Sequence, residues 1–152
     1  MTPGGRLFAA ALSVLLAAGG ASGATLTIES AKGPLLEFPV PEGATWCLCW
    51  SHSVTGGPVA DCFVNRSGRM ILARSYLHDF AAGLGEVPGR GTLRPAAEGG
   101  YWIENMDEPV PGNALVLRVG RPAVNHRLAI GGGEYSLSAV AAGRRVTLRL
   151  EP

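Results

Sequence analysis

Short segments in which apolar and polar residues alternate run along most of the chain, separated by glycine and proline. In "RRVTLRL" the valine and both leucines fall on one side of an extended chain, and the polar residues fall on the other. The segments "ALVLRVG" and "ATLTIES" show the same pattern. Period-two alternation is typical of a strand with one buried face. Further candidate strands are Leu35–Val40, Thr45–Val54, Val59–Val64, Arg69–His78, Tyr101–Asn105 and His126–Ile130.

Helical periodicity is nearly absent from the chain. Only "YSLSAVAAG" could form a helical turn, which would end at Gly143. Many short strands divided by turn residues predict an all-β protein. We therefore expect an antiparallel β-sandwich or a flattened barrel, with at most one or two short helical turns. The longest loop is expected at Ala81–Gly91, and loops on a β scaffold are the usual place for function.

The N-terminal residues have the layout of a secretory signal peptide. Arg6 precedes the apolar run "LFAAALSVLLAA", and the small residues of "GGASGAT" follow it. Cleavage is expected before Ala24 or before Thr25, with residues 1–24 as the signal peptide and 25–152 as one domain. The alternative is an uncleaved N-terminal anchor. The sequence predicts a periplasmic protein that is not inserted in the membrane after cleavage.

Charge gives little indication of a charged partner. The sequence has thirteen basic and twelve acidic residues, and one of the basic residues, Arg6, lies in the predicted signal peptide. Positive and negative residues are interspersed along the chain. Without a basic stripe, nucleic acid and anionic membrane surfaces are not expected as partners.

The stretch "WCLCWSHSVTGGPVADCFV" contains all three cysteines and is predicted to form a β-hairpin that turns at Thr55–Pro58. Alternation places Trp46, Leu48, Trp50, His52 and Val54 on one face of its first strand. Cys47 and Cys49 then lie on the other face.

Two registers of this hairpin stay open. A loop of Gly56 and Gly57 sets Asp61 opposite His52. This register requires the main-chain N–H of residue 58 to close the turn, and Pro58 has no N–H. A loop of Thr55 and Gly56 avoids this problem and sets Cys62 opposite Cys49. Both registers keep Trp50, His52, Asp61 and Phe63 on one face, and Cys49 and Cys62 on the other.

The cysteines allow three interpretations. In an oxidising compartment we expect a disulfide between Cys49 and Cys62, with Cys47 free. Three free thiols are the second interpretation. A metal site formed by the cysteines and His52 is the third, although the spacing matches no zinc module and His52 points to the other face. No metal and no cofactor are predicted.

His52 and Asp61 are the clearest candidates for ligand contact. A histidine near a carboxylate can bind a ligand or sense protons, and the simpler interpretation is a partly buried histidine bonded to Asp61 or to the main chain. His126 is most simply a surface or edge residue. No Ser-His-Asp arrangement at an exposed elbow is visible, so an enzyme is not expected.

The order of motifs resembles the DUF1850 family of bacterial secreted proteins of unknown function. The matching segments are "WSHSV", Pro58 with Asp61, "SGRMILARSYL", "FAAGLGEVP", "YWIENMDEP" and the C-terminal strands. Ala81 stands where the family has a glycine, whereas Gly83 matches, and the cysteines are not a recognised family feature.

The resemblance implies an envelope accessory role beside TRAP-type transporters of the TAXI class, whose subunits would be the partners. The residues assigned to ligand or partner contact are His52, Ser53, Asp61, Gly83 and His126. The alternatives are a small metal-binding protein or enzyme that uses Trp46–Val64, and a structural interaction module.

Overall fold

The computed structural model describes residues 23–79 and 89–152. Within these ranges the chain forms twelve β-strands, one α-helix and one short 3-10 helix. The strands are β1 Ala24–Ser30, β2 Gly33–Val40, β3 Thr45–Ser51, β4 Pro58–Arg66, β5 Arg69–Leu77, β6 Thr92–Pro95, β7 Tyr101–Glu104, β8 Glu108–Pro109, β9 Ala114–Arg118, β10 Arg127–Ile130, β11 Gly133–Ser136 and β12 Arg145–Glu151. The 3-10 helix spans Pro111–Asn113, and helix α1 spans Leu137–Ala141.

The strands form two antiparallel sheets of unequal size. The smaller sheet has the order β2-β1-β12-β9, and the larger has the order β11-β10-β3-β4-β5-β7-β6 with β8 paired to β5. Neither sheet closes on itself among the described residues, so the fold is sandwich-like rather than a barrel. The predicted all-β class and the antiparallel pairing are confirmed.

The main core lies between the two sheets. Leu26 and Ile28 of β1 and Leu148 of β12 are fully buried, and they belong to one cluster with Trp46 of β3 and Leu128 of β10. These residues occupy alternate positions in their strands, because successive side chains of a strand point to opposite faces. The alternation in the sequence therefore identified the inward faces correctly.

Three short strands, β6, β8 and β11, were not among the predicted strands. The predicted helical turn is present as α1, whose first turn is capped by Ser136: its Oγ accepts a hydrogen bond from the N–H of Ala139 at 3.1 Å. The α-helix ends at Ala141, and Gly143 follows with a φ of 74°.

The hairpin β3–β4 is present, but both expected registers are wrong. Asp61 lies opposite Leu48, and Trp50 lies opposite Val59. The connection is the six-residue segment 52–57, closed by a hydrogen bond from the N–H of His52 to the carbonyl of Gly57 at 2.8 Å. Because the loop is wider than the two-residue turns considered, Pro58 begins its strand, where a missing N–H is tolerated. The faces are as predicted for Trp50, Asp61 and Phe63, and for Cys49 and Cys62, since the register shift is an even number of residues.

The expected pairing of Cys49 with Cys62 is also wrong. The disulfide joins Cys47 to Cys62, with the Cα atoms 4.0 Å apart, and Cys49 is the free cysteine. The register explains the difference, because Cys47 lies directly opposite Cys62 while Cys49 lies opposite Ala60.

A β-bulge separates the two halves of β5. Phe63 pairs with Leu72 and Cys62 pairs with Arg74, so Ala73 is the extra residue. Beyond the bulge the alternation of β5 is shifted by one. Ser75 therefore lies on the inward face, opposite Asp61.

Two predictions fall wholly or mainly outside the described residues: the signal peptide, of which residues 1–22 are not described, and Gly83 in the expected long loop. Strand β1 begins at Ala24, one residue before the expected start of the domain, and Ala24 is buried. In residues 23–79 and 89–152, no helix has the length and apolar character needed to cross a membrane.

Candidate functional site

A cavity of about 680 Å³ lies against the inward face of the larger sheet. No described residue that lines it belongs to the smaller sheet. Its apolar walls are formed by Trp50, Val59, Leu77, Ile103, Met106 and Val124. Its polar groups belong to His52, Ser53, Asp61, Ser75, Arg90 and His126. We call this the inner-face cavity. Its volume, and the presence of polar groups among apolar walls, are typical of a site for a small molecule.

Asp61 is an acidic residue on the inward face of β4. Leu48 and Ser75 flank it on the neighbouring strands. The Ser75 hydroxyl donates a hydrogen bond to Asp61 Oδ1 at 2.6 Å. Burial raises the pKa of the Asp61 carboxyl, and the Ser75 hydrogen bond and the Arg90 charge offset only part of that rise.

His126 is held by a buried hydrogen-bond network at the start of β10. The ring Nδ1 of His126 accepts a hydrogen bond from the main-chain N–H of Gly120 at 2.8 Å. The main-chain N–H of His126 donates to Ser138 Oγ at 2.9 Å. Ser138 Oγ in turn donates to the carbonyl of Gly120 at 3.0 Å. Burial lowers the pKa of His126, so the neutral ring with its proton on Nε2 is favoured.

The close approach of the loop before β10 requires a glycine at position 120. A Cβ atom there would lie 2.6 Å from Cβ of Val124, which no ordinary contact allows. The same loop is tied to β3, because the N–H of Ser51 donates to the carbonyl of Val124 at 2.7 Å. The His126 ring consequently lies beside Trp50, with ring centroids 5.9 Å apart.

His52 lies in the β3–β4 loop rather than in the strand. Its Nδ1 accepts hydrogen bonds from the main-chain N–H groups of Val54 and Thr55, both at 3.3 Å. The ring thus shapes its own loop, and its neutral form carries the proton on Nε2. Of the two simple interpretations, hydrogen bonding to the main chain is observed and hydrogen bonding to Asp61 is not.

Arg90 and Glu108 form an ion pair beside the cavity. Arg90 Nε donates to Glu108 Oε1 at 2.6 Å, and Arg90 Nη2 donates to Oε2 at 3.3 Å. Both carboxylate oxygens are therefore engaged by one guanidinium, the geometry in which arginine pairs best with a carboxylate. The hydrogen bonds to Glu108 raise the pKa of Arg90 above its ordinary value.

The structure brings together four of the five residues assigned to ligand contact. His52, Ser53, Asp61 and His126 all line the inner-face cavity, although they come from two distant parts of the chain. Gly83 lies outside the described residues. The expectation that His126 is a surface or edge residue is wrong, since only 8% of it is exposed. Whether these residues bind a ligand stays a prediction.

Sequence reasoning missed Ser75, Arg90 and Ser138. A polar residue at an inward position was the available indication for Ser75, but the bulge at Ala73 concealed it. Arg90 and Ser138 gave no comparable indication, because their partners lie 18 residues away in the sequence.

The three cysteines lie on the opposite, outward face. Burial raises the pKa of the Cys49 thiol, which disfavours its reactive thiolate form. The metal site that would use all three cysteines and His52 as ligands does not form, because Cys47 and Cys62 are joined in a disulfide. Within the part of the chain that the structure describes, no group of three or more His, Cys, Asp or Glu residues could hold a metal ion.

These features define a class: a sandwich-like antiparallel β protein with one disulfide on its outward face and a partly polar cavity on its inward face. The family model described as "Domain of unknown function (DUF1850)" matches residues 47–137, which include the cavity residues named above. The chain belongs to the DUF1850 family, as its motifs predicted. Neither the curated proteins nor the solved structures contain a significant match to it.

Proposed function

We propose that this protein is a secreted envelope protein that binds a small molecule in the inner-face cavity and serves solute uptake without catalysing a reaction. The observation that carries the proposal is the convergence of His52, Ser53, Asp61 and His126 on one cavity. These residues contribute a carboxylate, a hydroxyl and two imidazoles to a site that also contains Ser75 and Arg90 among its apolar walls. Such a combination fixes the orientation of a small molecule.

Within the described part of the cavity, the Ser75 hydroxyl is not activated as a nucleophile. The Ser75 hydroxyl donates to Asp61 without an intervening histidine, so it lacks the base that activates a catalytic serine. Binding is therefore the better supported role. The accessory role beside a TRAP-type transporter of the TAXI class rests on family association, and the periplasmic location rests on the N-terminal motif.

Native mass spectrometry of protein recovered from the periplasm of its own bacterium tests the binding role. A reproducible adduct of small-molecule mass is the expected result. Ser53→Trp should abolish the adduct, because Ser53 is exposed and lines the cavity, so added bulk blocks the site at little cost to the fold.

Val54→Trp is the matched control for the blocking variant. Val54 is 85% exposed in the same loop and does not line the inner-face cavity. The control should retain the adduct. Loss of the adduct in both variants, or in neither, would place the ligand elsewhere and contradict the proposal.

Two measurements address location and partner. The intact mass of the periplasmic protein should correspond to cleavage before Ala24 or Thr25, and a mass that includes residues 1–23 would show an anchor instead. Affinity purification from detergent extracts should enrich the membrane subunits of a TRAP-type transporter. A purification that never enriches transport proteins would leave a free binding protein as the function.

A further inference from the structure

We propose that the inner-face cavity binds a small organic ammonium ion, with Asp61 as its counter-ion. This inference rests on the binding function proposed above and names the chemical class of the ligand. It follows from the charges around the cavity and from the groups that compensate each of them.

Asp61 is the group in the cavity whose charge the described residues do not pair. Leu48 lies opposite it on β3, and Val59 and Phe63 lie two residues away on its own strand. The Ser75 hydroxyl supplies one hydrogen bond to Oδ1, and no cation among the described residues lies within ion-pair distance of the carboxylate. A carboxylate in such surroundings is costly unless it is protonated or paired, and a bound cation would pair it.

Arg90 attracts the Asp61 carboxylate more strongly than Glu108 repels it, but this attraction offsets only part of the cost of burying the carboxylate. Its guanidinium is bonded to both oxygens of Glu108, so the three side chains together carry one net negative charge. His126 adds no positive charge in the observed geometry, since its Nδ1 accepts the main-chain N–H of Gly120. The described cavity is therefore complementary to one positive charge.

The walls select an organic cation over a metal ion. The indole of Trp50 lines the cavity beside the His126 ring, and aromatic faces attract ammonium groups. Val59, Leu77 and Ile103 offer apolar surface for a hydrocarbon body. A hard metal ion would need several oxygen ligands, and here one carboxylate is available. On His52 and His126, Nε2 remains as a donor for a second polar group of the ligand.

Isothermal titration calorimetry at pH 7 with three probes of similar shape tests the proposal. Phenethylamine, 2-phenylethanol and 3-phenylpropanoate carry a positive, a neutral and a negative head group on the same aromatic body. The amine should bind at least about ten-fold more tightly than the other two, since a hydrogen bond between charged groups is stronger than one between neutral groups.

Asp61→Asn should weaken binding of the amine by about 10- to 100-fold, because it removes the charge and keeps the oxygen that accepts from Ser75. Asp107→Asn is the matched control. Asp107 is an exposed carboxylate outside the cavity, paired with Arg66, so the same change of charge there should leave the affinity unaltered. Near-ultraviolet circular dichroism checks that both variants are folded.

Equal or tighter binding of the alcohol or the carboxylate would overturn the ammonium assignment, and so would unchanged binding of the amine to Asp61→Asn. Failure of all three probes to bind would overturn it as well. In each of these cases the adduct measured by native mass spectrometry still decides separately whether the cavity binds a ligand.

Discussion

The Cys47–Cys62 disulfide is expected to contribute about 3 kcal/mol to the free energy of unfolding. It joins residues 15 positions apart, and the chain-entropy relation assigns about 3 kcal/mol at 25 °C to a loop of this size. Cys47→Ser removes the bridge. For a domain of this length each kcal/mol shifts the Tm by about 2–4 °C, so the Tm should fall by about 6–12 °C.

Thermal unfolding of the mature protein, followed by circular dichroism with and without a reductant, measures this contribution. The wild type should lose stability when reduced, and Cys47→Ser should start low and respond little to reductant. Cys49→Ser is the matched control, because Cys49 lies on the same strand and the same face and is the free cysteine. It should keep both the Tm and the sensitivity to reductant.

The opposite pattern would refute the reasoning. If Cys49→Ser lost its sensitivity to reductant while Cys47→Ser kept it, the bridge would join Cys49 to Cys62, and the register of β3 on β4 would be wrong. Peptide mapping of Cys47→Ser should also find no disulfide between Cys49 and Cys62. The double variant with both Cys47→Ser and Cys49→Ser can form neither bridge. It gives the baseline for the Tm and for its sensitivity to reductant.

Three further predictions concern the core and the cavity. Trp46→Ala should lower the free energy of unfolding, measured by chemical denaturation, by about 3–5 kcal/mol. Trp50→Ala should lower it by clearly less, because Trp46 is 1% exposed whereas Trp50 lines the cavity. Equal losses in the two variants would contradict this expectation. Since the pKa of Asp61 is raised in the fold, the native state binds more protons than the unfolded chain, and stability should fall as pH rises from the ordinary pKa through the raised one. In Asp61→Asn the stability should depend less on pH, and this variant should be more stable than the wild type at pH 7. An unchanged dependence of stability on pH would contradict this prediction. Ser138→Ala should cost about 1–3 kcal/mol by leaving the buried N–H of His126 without its acceptor, and a neutral result would show that the network adds nothing.

The hairpin shows how far the sequence alone leads. Alternation in β3 and β4 assigned Trp50 and Phe63 to one face and the cysteines to the other, and the structure agrees. The register was not available from the same pattern, because every even shift preserves the faces. The hydrogen bonds that His52 makes with its own loop, and the contact of Ser51 with Val124, favour the observed shift.

The site divides in the same way. His52 and Asp61 stood out as polar residues on an apolar face, and both line the cavity. The placement of His126 beside them depends on Gly120 and Ser138, which contact it only in the folded chain.

The sequence by itself determined nine of the twelve strands, most of their inward faces and the family, because alternation and motif order are properties of neighbouring residues. Tertiary structure decided which cysteines pair, which half of β5 is shifted by the bulge, and which part of the larger sheet is left uncovered. Each of these depends on contacts between residues far apart in the chain. A four-stranded sheet cannot cover the whole of an eight-stranded one, and no described residue of the smaller sheet lines the inner-face cavity.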